Sequence, residues 1–327
     1  FIMVTTSDTY TFDCGEQTLD TQDLWASRLA DFVFLSFVFL TLGVLSPSVD
    51  VVEFSKLEIR SVVAGDSQSN FINQATWMLL AALASILVLK QPSRFFSAVP
   101  LVWPLFLVLV YCLASAAWSQ HPELTVRRSV ALIVTAYSLL VSVTYSSHPM
   151  RPALLCYIAF WVLLVMNIAS FLLPVAFDES GYFRGVAGHK NALGATACLA
   201  IFTGIVCFSE VKSAALKLGC SLYLAMWSML LLLSVSKTSI VLAGLVPIAV
   251  WYLDVMSRFL RINSAVVLCG HLFFGITLGF LIYYSVGLGP LDIARALYPD
   301  VTFTGRTPIW SFMMGLLNDH WLLGIGF

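Results

Sequence analysis

The chain has 327 residues, of which 59% are hydrophobic and only 11% are charged. A soluble domain carries roughly 25% charged residues, so this composition excludes an ordinary soluble protein and indicates one that crosses a membrane many times. The net charge of −1 and the lack of a block of Lys and Arg give no sign of a nucleic-acid partner, and we expect none.

The first 28 residues are polar and acidic, and we expect an N-terminal cytoplasmic tail at 1–28 without a signal peptide. A transmembrane helical domain is predicted at 29–286, where about nine apolar runs approach the 20 residues that a spanning helix needs. These runs are 29–46, 71–89, 99–117, 129–146, 153–175, 192–209, 215–235, 239–256 and 264–286. The sequence therefore predicts an all-α polytopic membrane protein.

The remaining residues, 287–327, are expected to start a periplasmic loop that contains an interfacial helix. The chain begins at Phe1 rather than Met and stops inside an apolar run, so we expect a truncated fragment. The seven cysteines are odd in number and lack CxxC spacing. We interpret them as small buried hydrophobic residues rather than disulfides or metal ligands.

Four polar strings follow the third, fifth, seventh and ninth predicted helices: "WSQHPELTVRR", "RGVAGHKN", "SKT" and "FTGRTPIW". If every predicted helix crosses the membrane, all four strings emerge on the same face. Counting Lys and Arg by side does not fix the orientation. Compact cationic strings are typical of a functional site, so we expect them outside and the N-terminus in the cytoplasm.

The string "RGVAGHKNALG" places Arg184, His189 and Lys190 just before a helix that we predict to begin at Ala192 with Asn191 as its N-cap. The free N–H groups at a helix start favour anions, and cations beside them strengthen that preference. His189 is interpreted either as a base or as a hydrogen-bond donor to phosphate. The alternative is a capped membrane helix with interfacial anchors.

In "FTGRTPIW", Thr307 and Pro308 predict the N-cap and first residue of a short interfacial or re-entrant helix, with Arg306 just before it. The alternative for Arg306 is a side chain that extends along the bilayer to reach water.

Lys237 lies in a predicted tight turn between two apolar helices, where a binding role and an anchoring role are equally consistent. Arg127 and Arg128 open the fourth predicted helix, where their charge opposes the helix dipole. We expect a partner for them, such as Glu123, and a structural role is slightly favoured.

The few carboxylates on this face form no spaced cluster of ligands, so we predict no metal and no other cofactor. A metal site through Asp178 and Glu179 stays open as an alternative.

Taken together, the strings RG–x–x–GHKN–x–x–G, WS–x–x–P and "FTGRTPIW" resemble those of the O-antigen ligase and polymerase-like family of bacterial membrane proteins. They are most similar to the exopolysaccharide (succinoglycan-type) polymerase branch, from about Leu113 onward. The resemblance implies a glycosyltransferase-C-like architecture in the inner membrane. It also implies a polyprenyl-diphosphate-linked saccharide donor, a glycan or lipid A–core acceptor, and transfer at the periplasmic face without metal or nucleotide.

Residue by residue, the resemblance assigns the motif arginine to Arg184 and a second arginine to Arg306. Lys237 stands where an arginine is expected in many members. The family's principal histidine belongs to a later segment, and we do not transfer its role to His189 or His320.

Our candidate catalytic residues are therefore Arg184, His189 and Arg306. Diphosphate binding is assigned to Arg184, Lys190, Asn191, Lys237 and Arg306, with Arg127 and Arg128 as secondary candidates.

Three alternatives remain at this point. Ligase and polymerase use the same type of donor and differ only in the acceptor. A transporter or flippase of lipid-linked saccharides would also need cations for a diphosphate, but should carry charges near the bilayer midplane. A structural subunit would leave the clustered cations unexplained.

Overall fold

The computed structural model describes residues 21–42, 71–173, 176–178, 181–287, 306–317, 324 and 326–327. Over these residues the fold is all-helical, apart from turns and one isolated antiparallel bridge between Phe177 and Phe183. The helices, in chain order, are α1 (Thr21–Thr41), α2 (Phe71–Lys90), α3 (Pro92–Ala98), α4 (Trp103–Ala114), α5 (Pro122–Thr144), α6 (Arg151–Ser170), α7 (Lys190–Glu210), α8 (Ala214–Ser234), α9 (Lys237–Leu260), α10 (Ser264–Val286) and α11 (Arg306–Leu317).

Seven of the described helices are long and apolar enough to cross a membrane, namely α1 and α5 to α10. The prediction of an all-α protein with many candidate spans is confirmed. Each of the nine predicted runs overlaps a helix, but the third is interrupted, and the second, which lies within α2, is followed by a sharp bend. α2 and the helical segment Pro92–Leu101 meet at 104°, and they make an eighth span only if the bent pair is counted as one.

Prolines explain both the bend and the interruption. Pro92 is the first residue of α3 and has no N–H to continue the hydrogen-bond ladder of α2. Pro100 and Pro104 divide the third predicted run into a short 3₁₀ turn and α4, so its apolar helix covers only Trp103–Ala117. The first predicted helix also differs from the structure at its start. α1 begins at Thr21, eight residues before the predicted start, because Ala26 already packs in a buried cluster.

The largest buried cluster joins α6, α7 and α8. Trp227 and Tyr223 of α8 are fully buried there beside small residues of α7. A Cβ built at Gly204 would lie 2.7 Å from the ring of Tyr223, so only glycine permits this approach. Small residues that let membrane helices pack closely are typical of such interfaces.

Contacts near one end of the bundle fix the relative directions of the helices. Tyr145, just after α5, donates its hydroxyl to the Gln91 carbonyl just after α2, and Lys90 lies over the Trp25 ring near the start of α1. Arg151 at the start of α6 donates to Asp31 of α1 at 2.9 Å. The start of α5 and the end of α6 therefore lie toward the opposite end of the bundle, which we call the cationic end.

Candidate functional site

The segment that carries Arg184 is folded as a compact hairpin over the core at the cationic end. The backbone N–H groups of Arg184 and Gly185 both donate to the Ala176 carbonyl, at 2.8 and 3.1 Å. The Phe183 ring stacks on the Phe171 ring, with 4.1 Å between their centroids. Because Phe183 is buried in the core cluster, the neighbouring Arg184 is held in place rather than carried on a free loop.

A second anchor of this hairpin, Asn167 of α6, was missed by sequence reasoning. It is 1% exposed, accepts a hydrogen bond from the Val186 N–H at 3.1 Å and donates to the Leu163 carbonyl at 2.8 Å. Gly185 has φ +59, and any Cβ there would clash with the Asn167 amide. The available signal was a single asparagine within an apolar run, since a polar side chain in such a helix normally has a specific partner.

The helix α7 begins two residues earlier than predicted, and its N-cap is His189 rather than Asn191. His189 is extended, with φ −151 and ψ 147, and its Nδ1 accepts from the Asn191 N–H at 3.1 Å. This satisfies one of the free donors of the first turn, which is the normal work of a capping residue. Asn191 is instead an exposed residue within that turn.

This cap has a chemical consequence for His189. A neutral imidazole has one acceptor nitrogen, and here Nδ1 is that acceptor. Nε2 therefore carries the hydrogen in this arrangement, and the exposed ring can donate a hydrogen bond to a ligand. Of the two roles predicted for His189, the geometry favours the hydrogen-bond donor over the base.

Lys190, the first residue of α7, is held by neighbours in the hairpin. Its Nζ lies 3.7 Å from the centroid of the Tyr182 ring and 3.9 Å from Asp178 Oδ2. Asp178 also accepts from the Tyr182 N–H at 2.9 Å. These contacts fix the direction of the lysine, although a partly exposed ion pair of this length has little energy of its own.

Asp178 is also one of the two ligands predicted for the alternative metal site. Glu179 lies outside the described residues, so the proposed pair with Asp178 is not tested. Among the residues described, no group of three or more His, Cys, Asp or Glu side chains could hold a metal ion.

Arg184 is half-buried and curves over its own hairpin. Its Nη1 donates to the Gly188 carbonyl at 3.3 Å. This contact holds the guanidinium near the start of α7, five residues away in the sequence from His189. The predicted grouping of Arg184, His189 and Lys190 is therefore local and is preorganised by the hairpin.

The starts of α7 and α9 lie side by side. A Cβ built at Gly194 in the first turns of α7 would lie 2.8 Å from Ser236 Oγ and 3.0 Å from Ser239 Oγ. Ser236 is the N-cap of α9 and Lys237 is its first residue, exposed to the surroundings. The predicted tight turn is confirmed, since Val235 reverses the chain at φ 52. Two helix N-termini thus face the same region as the cations.

Arg127 and Arg128 belong neither to the hairpin nor to the starts of α7 and α9. Both are exposed on the first turns of α5, whereas Thr125 and Ser129 on the other side of that helix are buried. Glu123, Arg127 and Arg128 all belong to the described part of the chain, and no ion pair joins them, so the predicted pairing does not form. We assign them no part in the grouped site.

Arg306 is the first residue of α11, so the helix begins one residue before Thr307, the predicted N-cap. The position of the Arg306 side chain lies outside what the structure describes. Trp310 and Phe312 are more than half exposed, as in a helix that rests on a membrane surface.

We expect Asn167→Leu to loosen the hairpin. The Val186 N–H would lose its acceptor, and losing one such hydrogen bond costs about 0.5–1.5 kcal/mol. Tryptic cleavage after Arg184 in the purified protein should become faster. The control is Asn191→Leu, because Asn191 is exposed and does not hold the hairpin. Equal cleavage rates in the two variants would contradict this role of Asn167.

The comparisons with known proteins add no identification: no protein-family model, no curated protein and no solved structure matches this chain.

Proposed function

We propose that this protein transfers or polymerises oligosaccharide units from a polyprenyl-diphosphate-linked donor at the periplasmic face of a bacterial inner membrane. The observation that carries the proposal is the grouping at the cationic end. Arg184 and Lys190 lie at the start of α7, and the start of α9 with Lys237 packs directly against it. The resemblance noted from the sequence adds the expectation of a glycosyltransferase-C-like architecture.

The chemistry of a diphosphate fits this arrangement. It is an anion with several oxygens, attached to a lipid whose chain remains in the bilayer. Guanidinium groups bind such oxygens in pairs, and a lysine supplies a point charge. The positive ends of the α7 and α9 helix dipoles also favour an anion, and their positions are fixed before the ligand arrives.

In the proposed reaction, a hydroxyl of the acceptor sugar attacks the anomeric carbon of the donor saccharide. A new carbon–oxygen bond forms, the bond from that carbon to the diphosphate oxygen breaks, and the hydroxyl proton passes to water. Negative charge grows on the leaving diphosphate as this bond breaks. Arg184, Lys190 and Lys237 would stabilise that charge most in the transition state, which is what accelerates the reaction. His189 Nε2 would donate a further hydrogen bond.

Lys237 offers a prediction specific to charge. Lys237→Arg should retain transfer, because the charge stays at the start of α9. Lys237→Gln should lower it by roughly ten- to a hundredfold, which is typical for losing one charged hydrogen-bond donor. The measurement is the rate of glycan elongation at equal protein levels in membranes. Equal rates for the two variants would mean that Lys237 is only an anchor.

The direct test uses the purified protein in lipid nanodiscs with a polyprenyl-diphosphate-linked saccharide. The proposal predicts release of polyprenyl diphosphate together with a longer glycan. Unchanged donor would contradict it.

A transporter or flippase of lipid-linked saccharides is the second candidate. The bent pair of α2 and the following segment, at 104°, is the observation that favours it, since broken helices are common in transporters. That bend follows Lys90, away from the cationic end. A transporter would move the intact donor across vesicle membranes without releasing diphosphate.

A further inference from the structure

A cluster of hydroxyl groups lies in the turn between α4 and α5, within the string "WSQHPELTVRR". Ser115 and Thr125 are each only 2% exposed, and Ser119 joins them. The proposed function uses none of these three residues. The three residues lie before, within and after a sharp turn of the chain, and their side chains come together on one side of it.

The backbone of Phe327 completes this cluster from more than 200 positions along the chain. Its N–H donates to Ser115 Oγ at 3.1 Å, and its carbonyl accepts from Thr125 Oγ1 at 3.1 Å. Two hydrogen bonds to one residue define both the position and the direction of its peptide groups.

Each hydroxyl in the cluster then has a consistent role. Ser115 Oγ donates to the Cys112 carbonyl at 2.7 Å and accepts from Phe327. The Thr125 hydroxyl donates its hydrogen to the Phe327 carbonyl. It must therefore be the acceptor in the 2.7 Å hydrogen bond with Ser119 Oγ. Ser119 in turn accepts from the His121 N–H at 3.1 Å. Removing the Phe327 backbone would leave the Thr125 hydroxyl without its acceptor, which is costly for a buried group.

Gly326 fits against the same turn. Its φ of +106 is a conformation that residues with a side chain rarely adopt. A Cβ at this position would lie 2.6 Å from Ser119 Cβ and 3.0 Å from Ser119 Cα. The turn therefore contacts Gly326 closely and binds the next residue, Phe327, through its backbone.

We propose that Ser115, Ser119 and Thr125 form a docking site for the backbone of Gly326 and Phe327, and that this site positions the chain segment that carries Arg306. α11 begins at Arg306 and ends at Leu317, nine residues before the docked Gly326. Nine extended residues span at most about 32 Å, so the dock limits how far α11 can move. The start of α5 lies at the cationic end, so the dock retains the arginine segment there.

The docking contact can be tested without any assay of function. In a full-length protein whose natural cysteines are replaced by alanine, Ser115→Cys with Phe327→Cys should form a disulfide on mild oxidation. The observed hydrogen bond keeps the two residues within the separation that a disulfide needs. Trypsin would then leave the fragments joined until reduction. Gln120→Cys with Phe327→Cys is the control, because Gln120 is in the same turn but exposed. Equal yields for both pairs would overturn the dock.

The positioning role rests on the proposed function and needs a second experiment. Thr125→Val keeps the shape but removes the hydroxyl, and Thr125→Ser keeps the hydroxyl. Thr125→Val should lower both the 115–327 cross-linking yield and the glycan elongation rate, each by roughly tenfold, the loss expected for one hydrogen bond. Thr125→Ser should restore both quantities.

The outcomes separate the two proposals. If Thr125→Val lowers cross-linking while elongation stays normal, the dock exists but does not position the arginine segment, and this inference fails. If cross-linking behaves as expected but the wild-type protein elongates no glycan, the proposed function fails instead and the dock stands as a contact only.

Discussion

Arg184→Ala should lower the rate of glycan transfer by about 100- to 1,000-fold, the loss typical of removing one preorganised donor from a developing anion. The hairpin holds this guanidinium beside the start of α7 through Phe183, Asn167 and the Gly188 carbonyl. Arg184→Lys should retain part of the rate, since the ammonium keeps the charge but loses the paired geometry.

The rate is measured on purified protein with a lipid-linked donor, together with its binding of the donor. Arg258→Ala is the matched control, because Arg258 lies in the last turn of α9, away from the cationic end, paired with Asp254. The control should behave like wild type. An Arg184→Ala protein that transfers glycan at the normal rate would contradict the role of this arginine.

Gly194→Val should abolish transfer by separating the starts of α7 and α9. A side chain at Gly194 would overlap Ser236 and Ser239, and overpacking of this kind costs about 1–3 kcal/mol when neighbours must move. Lys190 and Lys237 lie on the two helices that would move apart, so their charges would no longer act on one ligand. The measurement is transfer activity at matched membrane levels.

Two further variants show whether the effect arises from this contact. Gly219→Val on α8 should be tolerated, because a Cβ there has nothing within 4 Å. Ser236→Gly removes the obstructing side chain and leaves a residue accepted at an N-cap, so it should partly restore the Gly194→Val protein. Failure of this rescue, with normal membrane levels, would place the damage elsewhere.

Composition and apolar run length were enough to predict an all-helical chain with many candidate spans, since both reflect the bilayer thickness directly. They were not enough to predict the breaks. The runs at 71–89 and 99–117 are both apolar, yet the chain bends at Pro92 just after the first run, and Pro100 and Pro104 interrupt the second. Hydropathy measures how apolar a segment is, but not whether its backbone can continue as one helix.

At the candidate site, the motif string located Arg184, His189 and Lys190, because cations before an apolar helix are visible in sequence. Its internal geometry was not visible. The cap belongs to His189 rather than Asn191, since the choice depends on which residue adopts the extended conformation before the first turn. Asn167 and the Gly194–Ser236 approach are contacts between distant segments, and no local pattern predicts them.

The measurement that tests the central claim most directly is the size of the cell's surface and secreted polysaccharides after the chromosomal gene is deleted. The deletion strain is restored with wild type or with Arg184→Ala at equal membrane levels. We expect wild type to restore full-length glycan, whereas the variant leaves single repeat units on the lipid carrier or a lipopolysaccharide without its glycan. A deletion strain whose glycans are unchanged in size and amount would contradict the assignment of this protein to glycan transfer.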